Sequence, residues 1–292
     1  TVQGLLRCAD TAMYHAKDSG RGNRQFYQPG MDVHATDVLQ QERQLREAIA
    51  SNAFVLHYQP QICLADGSLK GFEALVRWRH PERGLLGPDE FITFSESRGL
   101  ITPIGRWVMH EACRQLKAWQ NEGLAMVPVA VNLSALEFRQ RDVAGELAAV
   151  LHATGLEPRF LEIELTESVL MHHTGQVLET LNAIKALGVG VTIDDFGTGY
   201  SSLAYLKRYP IDKLKIDRSF VMDTPQSADD VAIVTAIIQM GHSLQLKTVA
   251  EGVETAEQKE LLHRLGCDLV QGFLVSAPMD AQATQRWLSP QG

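Results

Sequence analysis

Acidic, amide and lysine side chains lie within or at the end of most of the short apolar segments of this sequence. Segment by segment, they are Glu73 in GFEALVRW, Asn132 in VPVAVNL, Glu164 and Glu167 in FLEIELTE, Asp194 and Asp195 in VGVTIDD, Lys215 and Asp217 in KLKID, Glu251 in LKTVAE and Gln271 in LVQGF. Carboxylate and amide oxygens of this kind favour Mg²⁺ or Mn²⁺ over zinc. If these carboxylates converge, they repel each other unless cations neutralise them.

Two cations that share one carboxylate are the usual arrangement for cleaving phosphodiesters. They activate a water molecule and neutralise charge on the phosphate. The adjacent Asp194 and Asp195 are the natural pair to join two such ions. The residue types therefore indicate a metal-dependent hydrolase that acts on a phosphodiester.

The apolar segments are spaced like strands that alternate with helices. With FVLHYQP at the start, eight segments rich in Val, Ile and Leu precede or follow amphipathic stretches such as 101–120 and 175–187. This order is typical of a (β/α)8 barrel, and a doubly wound open sheet is the alternative. A barrel carries its active site at the carboxyl ends of its strands, so the polar side chains would meet there. Strand periodicity also places Glu73 with Arg77, and Lys215 with Asp217, on shared faces.

Composition limits the functional class. The 292 residues are 45% hydrophobic, enough for one large domain with a short appendage, and the formal charge of −8 is the wrong sign for holding long nucleic acids. No apolar run approaches the roughly 18 residues of a membrane helix, so we expect no membrane contact in this chain and a cytoplasmic location. The four cysteines show no Cys-x-x-Cys pairing, which argues against a disulfide framework and against structural zinc.

The chain divides near its start. A polar, Gln- and Glu-rich stretch from about residue 37 to residue 50 predicts a linker helix, so we expect an appendage and linker over 1–36 and the main domain over 37–292. Because the sequence begins within what reads as ordinary domain sequence, we expect a piece of a longer protein. That leaves room for upstream sensor or membrane segments.

The segment GFEALVRW resembles the signature of EAL-domain cyclic di-GMP phosphodiesterases. In the family's order it is joined by YQPQI, VNLS, ELTES, DDFGTGYSS, KLKID, AEGVE and QGF, so the resemblance covers about residues 40–285. It implies a TIM-like (β/α)8 barrel whose first strand is antiparallel, and hydrolysis of cyclic di-GMP to linear 5'-pGpG. It also implies a homodimer. The first 30 residues are similar to the last helix and strand of a GGDEF domain, without the cyclase signature.

The resemblance also implies a role for each matching residue. The first metal would be held by Glu73, Asn132, Glu164 and Asp194, and the second by Asp194 and Asp195. Two Mg²⁺ or Mn²⁺ ions per site are implied, with Ca²⁺ inhibitory. Lys215 would orient the attacking water, and Glu251 would act either as general base or by holding metal-bound water. The implied substrate-binding group is Gln59, Arg77, Asp217, Glu254 and Gln271.

The resemblance gives Glu167 a separate role, which is to brace the DFGTGYSS loop. Its glycines Gly197 and Gly199 permit the tight turns of a mobile lid.

Three other interpretations stay open at this point. An inward lysine can be a Schiff-base nucleophile, but this needs a depressed pKa, and the carboxylates around Lys215 favour the charged ammonium. A degenerate EAL domain could bind cyclic di-GMP as a receptor without cutting it, although such proteins usually lack a ligand or the base and here every position is filled. A scaffold without a ligand would have no use for this set of side chains.

Overall fold

The strands form a closed sheet in the computed structural model, which describes residues 31–171, 174–199 and 206–289 with isolated positions before them. The strands are β1 (Phe54–Cys63), β2 (Leu69–His80), β3 (Gly84–Leu86), β4 (Val129–Leu133), β5 (Leu161–Thr166), β6 (Gly190–Phe196), β7 (Lys213–Ile216), β8 (Lys247–Ala250) and β9 (Leu269–Val270). The predicted GGDEF remnant lies almost entirely outside the described residues.

The first strand closes the barrel. Strand β1 pairs antiparallel with β2 on one side and with β9 on the other, whereas β2, β4 and each later strand up to β9 pair in parallel. The short β3 forms an antiparallel hairpin with β2 and is not one of the eight strands that close the barrel. The predicted (β/α)8 barrel with an antiparallel first strand is confirmed, and the open doubly wound sheet is excluded.

Helices cover the outside of this sheet. They are α1 (Met31–Ala50), α2 (Ile92–Ser97), α3 (Ile101–Asn121), α4 (Ala135–Gln140), α5 (Val143–Thr154), α6 (Thr174–Ala186), α7 (Arg218–Val221), α8 (Ala228–Ser243), α9 (Ala256–Leu265) and α10 (Ala281–Leu288). Short 3-10 turns span Pro88–Glu90, Pro158–Phe160 and Glu167–Met171. The predicted linker helix is the second half of α1, and α3 and α6 match the two predicted amphipathic helices. Within the part of the chain described, no helix is long and apolar enough to cross a membrane.

Strand periodicity separates the apolar core from the site. In β5, Leu161, Ile163 and Leu165 are fully buried, while Glu162 and Glu164 alternate with them and therefore point to the other face. Glu162 lies at the beginning of the strand, where it accepts two hydrogen bonds from Lys213 Nζ (2.7 and 2.8 Å). Only Glu164 is near the carboxyl end, so the barrel places one of these two glutamates in the site.

Candidate active site

A buried lysine lies at the centre of the carboxyl ends of the strands. Lys215 on β7 has no solvent exposure. Its Nζ is 2.5 Å from Glu251 Oε1, 2.7 Å from Glu164 Oε2, and 3.3 Å from both Glu73 Oε2 and Asp194 Oδ1. Four carboxylates, from within or just after four different strands, therefore converge on one ammonium group.

The charge state of Lys215 follows from these contacts. Burial alone would lower the pKa of Lys215, but the carboxylates of Asp194, Glu164, Glu251 and Glu73 together raise it well above its usual value. A Schiff-base nucleophile must be neutral at working pH. The contacts keep Lys215 protonated and so disfavour that alternative.

Amide side chains hold the carboxylate of Glu73 on both sides. Asn132 Nδ2, at the end of β4, donates to Glu73 Oε1 (2.6 Å), and Gln271 Nε2, just after β9, donates to Glu73 Oε2 (2.6 Å). Burial would raise the pKa of Glu73, but Lys215 and these two amides lower it below its usual value. Gln271 Nε2 also donates to Gln59 Oε1 (3.0 Å), which places the predicted Gln59 in the same network.

Two groups of carboxylates are arranged so that each could hold a cation. The oxygens of Glu73, Glu164 and Asp194 lie within 4.8 Å of one another, and so do those of Asp194, Asp195 and Glu251. Asp194 belongs to both groups. In addition, Glu164 Oε1 is buried without a hydrogen-bond partner among the described residues. A buried oxygen of this kind normally has a partner, so the donor set fits a divalent cation.

Burial and mutual repulsion raise the pKa values of several of these acids. Burial is the largest cause for Glu164, whose pKa lies well above its usual value, and the neighbouring carboxylates add to it against the opposing effect of Lys215. Burial, opposed by Lys215, raises the pKa of Glu251 to about 8. Burial, with Asp194 and Asp217 close by, raises the pKa of Asp195 to about 6. In the absence of metal, the site therefore holds protons near neutral pH.

The backbone near the end of β6 has an unusual conformation at Asp195, a member of the second carboxylate group. Asp195 has a left-handed conformation (φ 52°), and its N–H donates to Asp194 Oδ1 (2.9 Å). Such a conformation is uncommon for residues other than glycine, although aspartate tolerates it best. Here it turns the chain at the point where the two adjacent aspartates leave the strand.

Glu167 contacts the start of the DFGTGYSS loop. Its Oε2 accepts hydrogen bonds from the backbone N–H groups of Gly197 (3.0 Å) and Gly199 (3.2 Å). A Cβ atom at position 199 would lie 2.8 Å from Glu167 Oε1, so a side chain there would displace the Glu167 carboxylate from its present position. The rest of the loop, residues 200–202, lies outside the described residues, as do residues 203–205.

A cavity of about 300 Å³ opens above the carboxylates. The predicted residues that line it are Gln59, Glu73, Asp194, Glu251, Glu254 and Gln271. Arg77 is not among the lining residues, because its Nη1 donates to the carbonyl oxygen of Val76 (2.9 Å). Asp217 Oδ1 instead accepts from Ser219 N (3.0 Å) at the start of α7. The structure thus brings three of the five predicted substrate-binding residues to the cavity, but neither Arg77 nor Asp217.

Sequence reasoning missed two charged residues on the cavity wall. Asp89, in the 3-10 turn after β3, and Arg218, the first residue of α7, both line it. Asp89 also lines a neighbouring apolar cavity of about 360 Å³ that reaches Asn132 and Asp195. Arg218 directly follows the KLKID segment, and this adjacency was the available signal for it. Asp89 belongs to a segment that carries no comparable signal.

Comparison with known proteins identifies the family. A model of the EAL domain matches residues 42–278. The chain belongs to the EAL domain family. This EAL domain is 48% identical over 282 residues to the bifunctional diguanylate cyclase/cyclic di-GMP phosphodiesterase MucR of Pseudomonas aeruginosa, covering 97% of the chain and 41% of MucR. It is 46% identical over 284 residues to the cyclic di-GMP phosphodiesterase NbdA of the same organism, covering 97% of the chain and 36% of NbdA.

Solved EAL structures share the fold. The PaMucR phosphodiesterase in complex with c-di-GMP superposes with a TM-score of 0.81 at 48% identity, covering 84% of this chain and 99% of that one. The FimX EAL domain from Pseudomonas aeruginosa bound to c-di-GMP gives 0.74 at 26% identity, covering 83% and 96%. The EAL domain described here thus spans less than half the length of these curated relatives but nearly the whole of these structures.

Proposed function

We propose that this EAL domain hydrolyses one phosphodiester bond of cyclic di-GMP, giving linear 5'-pGpG. The observation that carries the proposal is the pair of carboxylate groups that share Asp194 around the buried ammonium of Lys215. The names of MucR and NbdA, which are cyclic di-GMP phosphodiesterases, support the choice of substrate. The apolar cavity beside the site supports it too, because a planar nucleobase needs an apolar slot.

In this proposal, one divalent cation, Mg²⁺ or Mn²⁺, is held by Glu73, Asn132, Glu164 and Asp194. A second is held by Asp194 and Asp195, with Glu251 beside it. When bound, such ions neutralise the phosphate and make water more acidic. A small, regular set of oxygen ligands suits these ions. Ca²⁺ is larger and takes a looser coordination, so we expect Ca²⁺ to inhibit hydrolysis.

Side chains of the protein would then remove a proton from the attacking water and hold the reacting groups in place. Lys215, held by four carboxylates, contributes a fixed positive charge beside the reacting phosphate. Glu251, which lies 2.5 Å from Lys215 Nζ and beside Asp194 and Asp195, accepts the proton of the attacking water in its ionised form. The water oxygen bonds to phosphorus, the bond from phosphorus to the 3' oxygen breaks, and the leaving 3' oxygen takes up a proton. Gln59 and Gln271 keep Glu73 oriented through their amide network.

The proposal also covers the oligomeric state, the domain division and the cellular location of the protein. From the family resemblance we propose a homodimer, which light scattering of the purified chain would test. We also propose that residues 1–36 are a GGDEF remnant and linker, and that the domain works in the cytoplasm, where no long nucleic acid is its partner.

Product analysis tests the main proposal. The purified chain is incubated with cyclic di-GMP and Mg²⁺, and the nucleotides are separated by chromatography, with parallel samples in excess chelator and in Ca²⁺. We expect 5'-pGpG only in the Mg²⁺ or Mn²⁺ sample. Undiminished hydrolysis in chelator would refute the metal dependence, and tight binding of cyclic di-GMP without product in Mg²⁺ would favour the receptor alternative.

A further inference from the structure

The charged side chains described on the wall of the cavity above the site are acidic, apart from that of Arg218. Among the described residues that line it, five are carboxylates, and Arg218 is the cation. The five are Glu73, Asp89, Asp194, Glu251 and Glu254. Lys215 lies beneath them and its charge is already engaged by four of the carboxylates around it. Among these described lining residues, Arg218 is therefore the exposed positive charge that an anionic substrate meets.

The backbone fixes where that charge is held. Arg218 follows Asp217, which caps α7, and lies three positions after Lys215. Gly252, just after Glu251, packs on the stem of Arg218: a Cβ atom at position 252 would lie 2.7 Å from Arg218 Cβ. Gly252 also has a positive φ of 66°, which suits glycine. The stem of Arg218 is therefore held against Gly252, and the exposed Arg218 lines the cavity.

A cyclic dinucleotide carries two phosphodiester groups, and the catalytic centre can take only one of them. The group to be cleaved must lie over the carboxylates, Lys215 and Glu251. Arg77, the cation that the sequence suggested for substrate, donates to the carbonyl oxygen of Val76 and is not among the residues that line this cavity, although it lies near Glu73 and Asp89. Arg218 is therefore the charged group on the wall that is placed to meet the second phosphate, since a guanidinium matches two phosphate oxygens at once.

We propose that Arg218 is a substrate-binding residue that contacts the phosphate of cyclic di-GMP that is not cleaved. The inference rests on the proposed function. It assigns Arg218 to binding and to selection of a substrate with two phosphates, and leaves the chemical step to Lys215 and Glu251.

Kinetics on two substrates test this role. Cyclic di-GMP has two phosphodiesters, whereas bis(p-nitrophenyl) phosphate has one. In Arg218→Gln we expect the KM for cyclic di-GMP to rise about tenfold or more with a much smaller change in kcat. The ratio of kcat/KM for cyclic di-GMP to that for bis(p-nitrophenyl) phosphate should fall by about the same factor. Arg218→Lys should recover part of the loss, since a lysine supplies the charge without the planar fork.

A matched control removes the same charge elsewhere. Arg264→Gln, at an exposed position in the last turn of α9, should leave the ratio unchanged. An unchanged ratio in Arg218→Gln, or an equal loss on both substrates, would overturn the proposal. Calorimetric binding of cyclic di-GMP in Ca²⁺ separates this test from the proposed function. A wild-type chain that binds but never cleaves would refute the hydrolase, while weaker binding in Arg218→Gln alone would still support the contact.

Discussion

Adding Mg²⁺ to the metal-free protein should release protons from the site. A cation competes with protons for the same oxygens, so each group that is protonated beforehand gives up its proton. At pH 7, Glu251, with a pKa of about 8, is about nine-tenths protonated, and Asp195, with a pKa of about 6, is about one-tenth protonated. The second carboxylate group should therefore release about one proton, and the raised pKa of Glu164 in the first group adds up to one more.

The sign of the pH dependence follows from the same shifts. Because these pKa values are raised, protons oppose metal binding most strongly at low pH and progressively less as the pH rises through about 6 and then about 8. With about one linked proton, the apparent Kd for Mg²⁺ should fall about tenfold per pH unit between about pH 6 and about pH 8 and then level off. The lowered pKa of Glu73 adds nothing to this window, since that group is already ionised.

Isothermal titration calorimetry in two buffers with different ionisation enthalpies counts the protons. At pH 7 we expect about one to two per site, falling as the pH approaches 9. Glu251→Gln should remove about one proton from the count, whereas Glu260→Gln, at an exposed position on α9, should not change it. A count of zero at pH 7 in the wild type would refute the reasoning, because it would mean that the metal-free carboxylates are already ionised.

Three substitutions test other parts of the site. Lys215→Ala removes the ammonium shared by four buried carboxylates, so turnover should fall about a hundredfold or more while cyclic di-GMP binding in Ca²⁺ largely persists; near-normal turnover would contradict the role. Glu167→Ala removes the acceptor of two loop N–H groups, so the Mg²⁺ midpoint of activity should rise with little change in Tm, and an unchanged midpoint would leave Glu167 a structural carboxylate. Gly272→Ala would place a Cβ atom 2.2 Å from the carbonyl oxygen of Val253, so the free energy of unfolding should drop by about 1–3 kcal/mol in urea, and a wild-type value would show that the backbone there can relax.

Much of the fold and most of the site followed from residue type and strand periodicity. Glu164 and Asp194 could be placed because a parallel barrel gathers its strand ends, and the choice of Glu164 over Glu162 needed only the position along β5. The antiparallel β1 came from resemblance, since periodicity carries no strand direction. The three-residue β3 was too short to leave a pattern.

The direction of long side chains, and of side chains outside the strands, was harder to predict. The sequence placed Arg77 on the same face as Glu73, but a long side chain can turn back, and its guanidinium contacts the carbonyl of Val76. Asp89 and Arg218 were missed because both lie outside the strands. In such segments, no sequence period indicates which way a side chain points. The number of carboxylates around Lys215 depends on depth within the barrel, which spacing alone does not give.

The seam between the first and last strands has a consequence for how the domain is made. In the part of the chain described, strand β1 pairs with β9 at two positions, Ile62 with Val270 and Cys63 with Leu269. Beside this seam, Gln271 donates to Gln59 and Glu73. Those partners are 212 and 198 positions away along the chain. Contacts at such separation form slowly, because a long loop must close before any contact rewards it. During synthesis, Glu73 leaves the ribosome well before Gln271, so it gains its second amide partner only when the last strand has been made, and the site of the nascent domain is incomplete until then.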